Sequence, residues 1–230
     1  MKDLFEDDFL DNPTQRVPVC LCLDTSGSMR GTPIDELNKG IKLFYDSLKE
    51  DEVACYSAEV CIVTFGNKDV PWVRCISDFS GLSKVKKVPE LVAGGQTPMG
   101  DAVNLALDLL EKRKNEYKNS GIEYYQPWLV IMTDGRPGGD STPDAVRLAQ
   151  ERATKLVNEK KLVVMPVWIG KEKLVDGMDT LQKFSPKNRV ARLAGLNFKA
   201  FFKWLSSSVS GISQSNSKKF DLPPMDWTVL

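Results

Sequence analysis

The chain has 230 residues, enough for a single α/β domain with a sizeable core. Its 31 basic and 31 acidic side chains leave no net charge, so no overall field attracts it to nucleic acid or to an anionic membrane surface. It contains no histidine, which excludes imidazole bases, histidine metal ligands and every catalytic triad that depends on imidazole.

The first 16 residues, MKDLFEDDFLDNPTQR, form an acidic leader without the basic start and apolar core of a signal peptide. Later in the chain, no stretch approaches the roughly 20 apolar residues of a membrane span. The five cysteines lack CxxC spacing, which indicates buried free thiols and not disulfides or a zinc site. They are Cys20, Cys22, Cys55, Cys61 and Cys75. We therefore expect a cytoplasmic protein that binds neither nucleic acid nor membranes.

The first half of the chain alternates apolar runs with an amphipathic segment. VPVCLCLD, residues 17–24, predicts a central parallel strand, because a continuous apolar run suits a strand that is covered on both faces. After a short polar stretch, residues 32–51 predict a helix with Thr32 as its N-cap and Pro33 at its first helical position. AEVCIVTFGN and VPWVRCISDF then predict a hairpin, which adds an antiparallel edge to the sheet.

The second half repeats this design. A glycine-rich loop leads into a helix that opens at Thr97-Pro98, and PWLVIMTDG predicts a second apolar strand that ends in Asp and Gly. A third helix starts at Thr142-Pro143. The remaining predicted elements are a strand in KLVVMPVWIG, a short helix near residues 178–184, a weak strand at 189–193 and a final helix in NFKAFFKWLSSSV.

Strands that alternate with helices at this spacing predict an α/β fold. We expect a doubly wound, mostly parallel sheet with helices on both faces and one antiparallel edge strand. We assign residues 1–16 to the acidic leader, 17–210 to the domain, and 211–230 to a polar linker and C-terminal tail.

Small polar residues gather at the predicted carboxyl ends of the strands, where ligands of doubly wound sheets bind. Two carboxylates and three hydroxyls, without sulfur or nitrogen, make an all-oxygen set that suits a hard divalent cation. We expect Mg²⁺, with Mn²⁺ and Ca²⁺ as alternatives. The candidate metal ligands are Asp24, Ser26, Ser28, Thr97 and Asp134.

The segments DTSGSMRG, GGQTPMGDA and IMTDGRP resemble, in order, the three segments of the metal-ion-dependent adhesion site of von Willebrand factor A (VWA) domains. The resemblance covers roughly residues 17–210 and implies a Rossmann-like fold. It also implies that the hydroxyls of Ser26, Ser28 and Thr97 ligate the metal, while the two aspartates act directly or through water. Within the family, SGSMRG and GGQTPMG are most similar to the bacterial TerY-like branch, which is associated with tellurite resistance, chemical stress and phage defence.

The resemblance implies a non-catalytic module whose metal is completed by an Asp or Glu side chain from a partner protein. TerY-like proteins are encoded beside protein kinases and phosphatases. Enzymes of these kinds, from the same gene cluster, are therefore candidate partners.

Other interpretations of the same residues stay open. Thr97 fits a plain helix N-cap, and either aspartate alone fits an ordinary turn. An aspartate at a strand end beside Mg²⁺ is also the nucleophile of haloacid-dehalogenase-like phosphatases, a role that would fall to Asp24. That chemistry normally requires a second acidic residue two positions after the nucleophile, where this chain has Ser26. We therefore expect a protein that is not an enzyme.

Overall fold

The computed structural model describes residue 12 and residues 14–67, 71–138, 142–170, 175–184, 190–193 and 197–215. The strands, in chain order, are β1 (Val17–Thr25), β2 (Ala58–Gly66), β3 (Val73–Ser77), β4 (Trp128–Thr133), β5 (Val163–Trp168) and β6 (Ala191–Arg192). The helices are α1 (Thr32–Glu50), α2 (Glu52–Ser57), α3 (Met99–Asn119), α4 (Pro143–Asn158), α5 (Val175–Gln182) and α6 (Phe198–Ser213). Among the described helices, none is both long and apolar enough to cross a membrane.

The described strands form one six-stranded sheet in the order β3-β2-β1-β4-β5-β6. All neighbouring pairs are parallel except β2 and β3, which run antiparallel at one edge. The predicted doubly wound, mostly parallel sheet is therefore confirmed. The chain moves outward from β1 to β3 and then returns to the other side of β1 to form β4. This reversal places the topological switch point between β1 and β4.

Each face of the sheet carries its own apolar core. Val19, Leu21 and Leu23 of β1 belong to the core under α1 and α6. Cys20 and Cys22 belong to the opposite core, under α3 and α4. Because side chains of a strand alternate between faces, the next residue of this second series, Asp24, lies on the α3 side.

The start of α1 differs from the prediction. Gly31 is the N-cap, with φ of 78°, and Thr32 is already helical. The prediction of Thr32 as N-cap is therefore wrong, because the turn into the helix needs the left-handed conformation that favours glycine. By contrast, Thr142 caps α4 as predicted, and its hydroxyl accepts the backbone N–H of Ala145 at 3.1 Å.

Helix α2 was not predicted, because six residues are too few to show helical periodicity. The side chain of Asp51 caps it by accepting the Ala54 N–H at 2.9 Å. The later elements occur with shifted ends: α5 begins before residue 178 and β6 is only Ala191–Arg192. Residue 189 of that predicted strand lies outside the described residues.

The fold extends past both predicted domain boundaries. Arg16, assigned to the leader, forms a bridge with Tyr124, and its backbone N–H donates to Glu123 O at 2.9 Å. At the other end, α6 continues beyond residue 210 to Ser213. Residues 1–11 and 13 of the leader, and residues 216–230 of the linker and tail, lie outside the described residues.

A buried ion cluster ties the start of the fold to the sheet. Glu59 of β2 accepts hydrogen bonds from Arg113 Nε at 2.7 Å and from the Tyr117 hydroxyl at 2.5 Å. Its other oxygen lies 3.3 Å from Arg16 Nε. One carboxylate therefore pairs with two buried guanidinium groups, one before β1 and one on α3, and Arg113 pairs with Glu116 as well, at 2.8 Å.

We expect Glu59→Gln to lower the free energy of unfolding by about 3–5 kcal/mol, because it removes the carboxylate that faces the buried Arg16 and one of the two carboxylates that pair with Arg113, the other being Glu116. Urea unfolding followed by circular dichroism measures the change. The matched control is Glu151→Gln, which also removes a carboxylate from an arginine, at an exposed pair with an N–O distance of 3.0 Å. Equal urea midpoints for the two variants would show that the buried cluster does not stabilise the fold.

Candidate functional site

The site lies at the switch point, where β1 and β4 end side by side. Leu23 pairs with Met132 in the parallel register, so the next residues, Asp24 and Thr133, are neighbours on the same face of the sheet. Both side chains are fully buried. The topology therefore brings the ends of the two predicted apolar strands together, as expected for the ligand edge of this sheet class.

Asp24 is held by donors from both strands. The Ser26 N–H donates to Oδ1 at 2.8 Å, and the Thr133 hydroxyl donates to Oδ2. Burial raises the pKa of Asp24 to about 6, although these hydrogen bonds favour the charged form. The hydrogen bond from the Ser26 N–H to the Asp24 side chain is that of an Asx turn. The interpretation of Asp24 as an ordinary turn residue therefore accounts for this bond, but it does not account for the hydrogen bond from Thr133.

Thr133 is a residue that sequence reasoning missed. The Gly135 N–H donates to its hydroxyl oxygen at 3.1 Å while the hydroxyl proton goes to Asp24. It thus joins the loop after β4 to the end of β1. Two features of the sequence indicate its position. Thr133 directly precedes Asp134 at the end of a strand, and it is two residues after Ile131 and four after Leu129, so it shares their face of the sheet, on the α3 side.

The remaining polar residues continue from Asp24 as a hydrogen-bonded row. The Ser26 and Ser28 hydroxyl oxygens are 3.0 Å apart, and Ser28 donates to Asp134 Oδ1 at 2.7 Å. Ser26 is buried, Asp134 is half-buried and Ser28 is exposed, so the row runs from the interior to the surface. Burial also raises the pKa of Asp134, against the effect of the Ser28 hydrogen bond.

Backbone hydrogen bonds join the glycine-rich loop to the serine loop. Gly27 N–H donates to Gly95 O at 3.2 Å, and Gly94 N–H donates to Thr25 O at 2.7 Å. Gly95 has φ of 70°, and an added Cβ would lie 2.1 Å from the carbonyl oxygen of Asn67. Only glycine fits this close approach, which explains the glycine at position 95 in physical terms.

Thr97 lies beside the row without joining it. Its carbonyl accepts the Gly138 N–H at 3.0 Å, and its hydroxyl oxygen lies 3.9 Å from the position that a Cβ on Gly135 would take. Among the described residues, its hydroxyl has no hydrogen-bond partner. Helix α3 begins at Met99 with Pro98 as N-cap and no side-chain capping bond, so the N-cap interpretation of Thr97 is wrong.

The fold and the site together define a class. The chain has an open, doubly wound sheet with polar side chains at its switch point, which is the place where α/β domains of this architecture bind their ligands. The family model of the von Willebrand factor type A domain matches residues 19–192 of this chain. The chain therefore belongs to the von Willebrand factor type A domain family.

Solved structures of this fold include the vWF domain of the type V pili tip protein Mfa5 from Porphyromonas gingivalis. It has a TM-score of 0.61 and 12% identity, and the alignment covers 89% of this chain and 98% of that one. The VWA domain of SpRpn10 gives a TM-score of 0.52 at 12% identity, covering 80% of this chain and 92% of that one.

The pilus adhesin SpaC from Lactobacillus rhamnosus GG, in its open conformation, gives a TM-score of 0.64 at 13% identity. The alignment covers 86% of this chain but 30% of the adhesin, so this chain spans about a third of that protein's length. At these identities the likeness concerns the fold alone. A search of the curated proteins found no match to this chain.

We expect Thr133→Val to lower the free energy of unfolding by about 1.5–3 kcal/mol, because the buried Asp24 carboxylate loses a charge-assisted hydrogen bond. Thr25→Val is the matched control. The buried Thr25 hydroxyl, at the end of β1, donates to the neutral Phe65 carbonyl at 3.1 Å, and we expect its loss to cost about 1 kcal/mol. Urea unfolding at neutral pH compares the two. A smaller cost for Thr133→Val than for the control would contradict this role.

The raised pKa of Asp24 also predicts a pH dependence in metal-free buffer. Above the ordinary pKa of 3.8, the unfolded chain has lost this proton, while the folded chain keeps it up to about pH 6. The unfolded state binds fewer protons in that window, so stability falls as the pH rises, by on the order of 3 kcal/mol for this group. Asp24→Asn lacks this titration. Parallel stability–pH curves for the wild type and Asp24→Asn would refute the prediction.

Proposed function

We propose that the chain is a non-catalytic protein-interaction module that holds a divalent cation and through it binds an acidic side chain of a partner protein. The observation that carries this proposal is the hydrogen-bonded row from Asp24 through Ser26 and Ser28 to Asp134, because it gathers four oxygen-bearing side chains from two strand ends. Thr97, half-buried beside the loop that follows Asp134, is the fifth proposed ligand.

The residues fit a hard cation by their chemistry. Two carboxylates offset the charge of a divalent ion, and neutral hydroxyls supply further oxygen ligands without adding charge. Both carboxyl groups have pKa values raised by burial, so a cation would relieve an electrostatic cost that the fold already carries. We propose Mg²⁺, which favours octahedral oxygen sites; Mn²⁺ shares these ligands, and Ca²⁺ takes more oxygens at longer distances.

When bound, such a cation acts as an electrophile for an incoming carboxylate. The chain's own part is to position the ligands: the Ser26 N–H and Thr133 hydroxyl fix Asp24, and the Ser28 hydroxyl fixes Asp134. Because Ser28 is exposed, an Asp or Glu of another protein can approach this end of the row.

We further propose a role like that of the TerY-like branch, in a bacterial response to tellurite, chemical stress or phage. The similarity of SGSMRG and GGQTPMG to that branch supports this role and makes a protein kinase or phosphatase of the same gene cluster the candidate partner. The five cysteines, which are free in the described chain, support a location in the reducing cytoplasm.

Titration calorimetry with Mg²⁺ tests the cation site. We expect Asp24→Ala and Ser28→Ala to lose Mg²⁺ binding while circular dichroism stays unchanged. The matched control is Ser207→Ala, which removes an exposed hydroxyl that donates only to Lys203 O, at 3.0 Å on α6, and should bind like the wild type. Undiminished Mg²⁺ binding by both site variants would show that the ligands are wrongly assigned.

A pull-down with Mg²⁺ or with a chelator tests the partner. The expected outcome is a protein captured by the wild type and by Ser207→Ala only when Mg²⁺ is present, and not captured by Ser28→Ala. Incubation with generic phosphoesters tests the alternative that Asp24 is a phosphatase nucleophile. Mg²⁺-dependent turnover that disappears in Asp24→Asn would overturn the non-catalytic proposal.

A further inference from the structure

Three metal-ligating side chains meet at the antiparallel edge of the sheet, away from the site described above. The sulfur atoms of Cys61 on β2 and Cys75 on β3 are 3.9 Å apart. A carboxylate oxygen of Asp78 lies within 4.8 Å of both. Cys61 is buried, while Cys75 and Asp78 are exposed, so the cluster opens to solvent.

An irregularity in strand pairing produces this cluster. Val63 pairs with Cys75, but the next pair is Ile62 with Ser77, so Ile76 is an extra residue in β3. Continuing the shifted register places Asp78 opposite Cys61. Bulges of this kind re-aim side chains at sheet edges, and here the bulge brings a carboxylate next to two thiols.

The spacing of the cluster suits a tetrahedral metal ion. Zinc–sulfur bonds of about 2.3 Å place two thiolates of a tetrahedron about 3.8 Å apart, close to the separation of Cys61 and Cys75. The Phe79 N–H donates to Asp78 Oδ1 at 2.8 Å, which orients the carboxyl group as outer hydrogen bonds do in metal sites. Cys20 is the register neighbour of Cys61 on the adjacent strand β1, and its side chain is fully buried.

We propose that Cys61, Cys75 and Asp78 form a second metal site, which takes a thiophilic divalent cation, Zn²⁺ in particular, and leaves the fourth position open. Two sulfurs and one carboxylate match the ligands that zinc accepts, and Mg²⁺ does not favour sulfur. This site departs from the sequence expectation of thiols that only fill the core.

The two proposed sites are separate. Phe65 is the register neighbour of Asp24, and Cys61 precedes it by four residues on β2. At about 3.3 Å per residue, this distance is about 13 Å along the strand. An experiment that contradicts one proposed site therefore does not contradict the other. A variant of one site can also serve as a control in the experiment on the other site.

Absorption spectroscopy with Co²⁺ as a substitute for zinc tests the proposal on the full chain, in a non-thiol reductant and excess Mg²⁺. We expect one Co²⁺ per chain with thiolate-to-cobalt charge-transfer absorption and the intense visible bands of a tetrahedral site, both abolished by Zn²⁺. Cys75→Ser and Asp78→Asn change exposed residues, so the fold should survive. We expect each to weaken Co²⁺ binding at least tenfold.

Two controls complete the experiment. Cys55→Ser removes a half-buried thiol outside the cluster, and Asp24→Ala disrupts the other proposed site; both should keep the wild-type cobalt spectrum. Co²⁺ binding by Cys75→Ser with the affinity and the thiolate-band intensity of the wild type would overturn the proposal. A fully reduced wild-type chain that gives no thiolate bands would overturn it too, whether or not Cys61 and Cys75 form a disulfide in air.

Discussion

The carboxylate of Asp24 is the group on which the geometry of the switch point depends. A buried charge without hydrogen-bond donors is costly, and here the donors are the Ser26 N–H and the Thr133 hydroxyl. One belongs to the loop after β1 and the other to the end of β4. The bonds that compensate the burial of Asp24 therefore also fix the distance between the loop that carries Ser26 and Ser28 and the loop that carries Asp134.

Much of the fold and of the site follows from local patterns in the sequence. Continuous apolar runs identify β1 and β4 as central parallel strands. An aspartate at the end of each run indicates, from neighbouring residues alone, where the candidate site lies. Capping at Thr142 follows from residue type alone. These features are predictable because each depends on a few neighbouring residues.

What the sequence did not reveal depends on contacts between distant segments. Thr133 matters because β4 lies beside β1 in one register, a fact of tertiary structure. Gly31 replaces Thr32 as the helix cap because the incoming loop requires a positive φ. Cys61 and Cys75 are 14 residues apart and meet only through a bulged hairpin, which no rule of cysteine spacing anticipates.

The separation of the interacting residues along the chain has a consequence for synthesis. Ser28 and Asp134 are 106 positions apart, and a chain emerges from the ribosome with its N-terminal segments first. The serine loop is therefore made long before β4 exists to complete the row. During that interval a nascent chain presents only half of the proposed recognition surface, so the proposed partner, which needs both halves, would bind completed chains and not those still being translated.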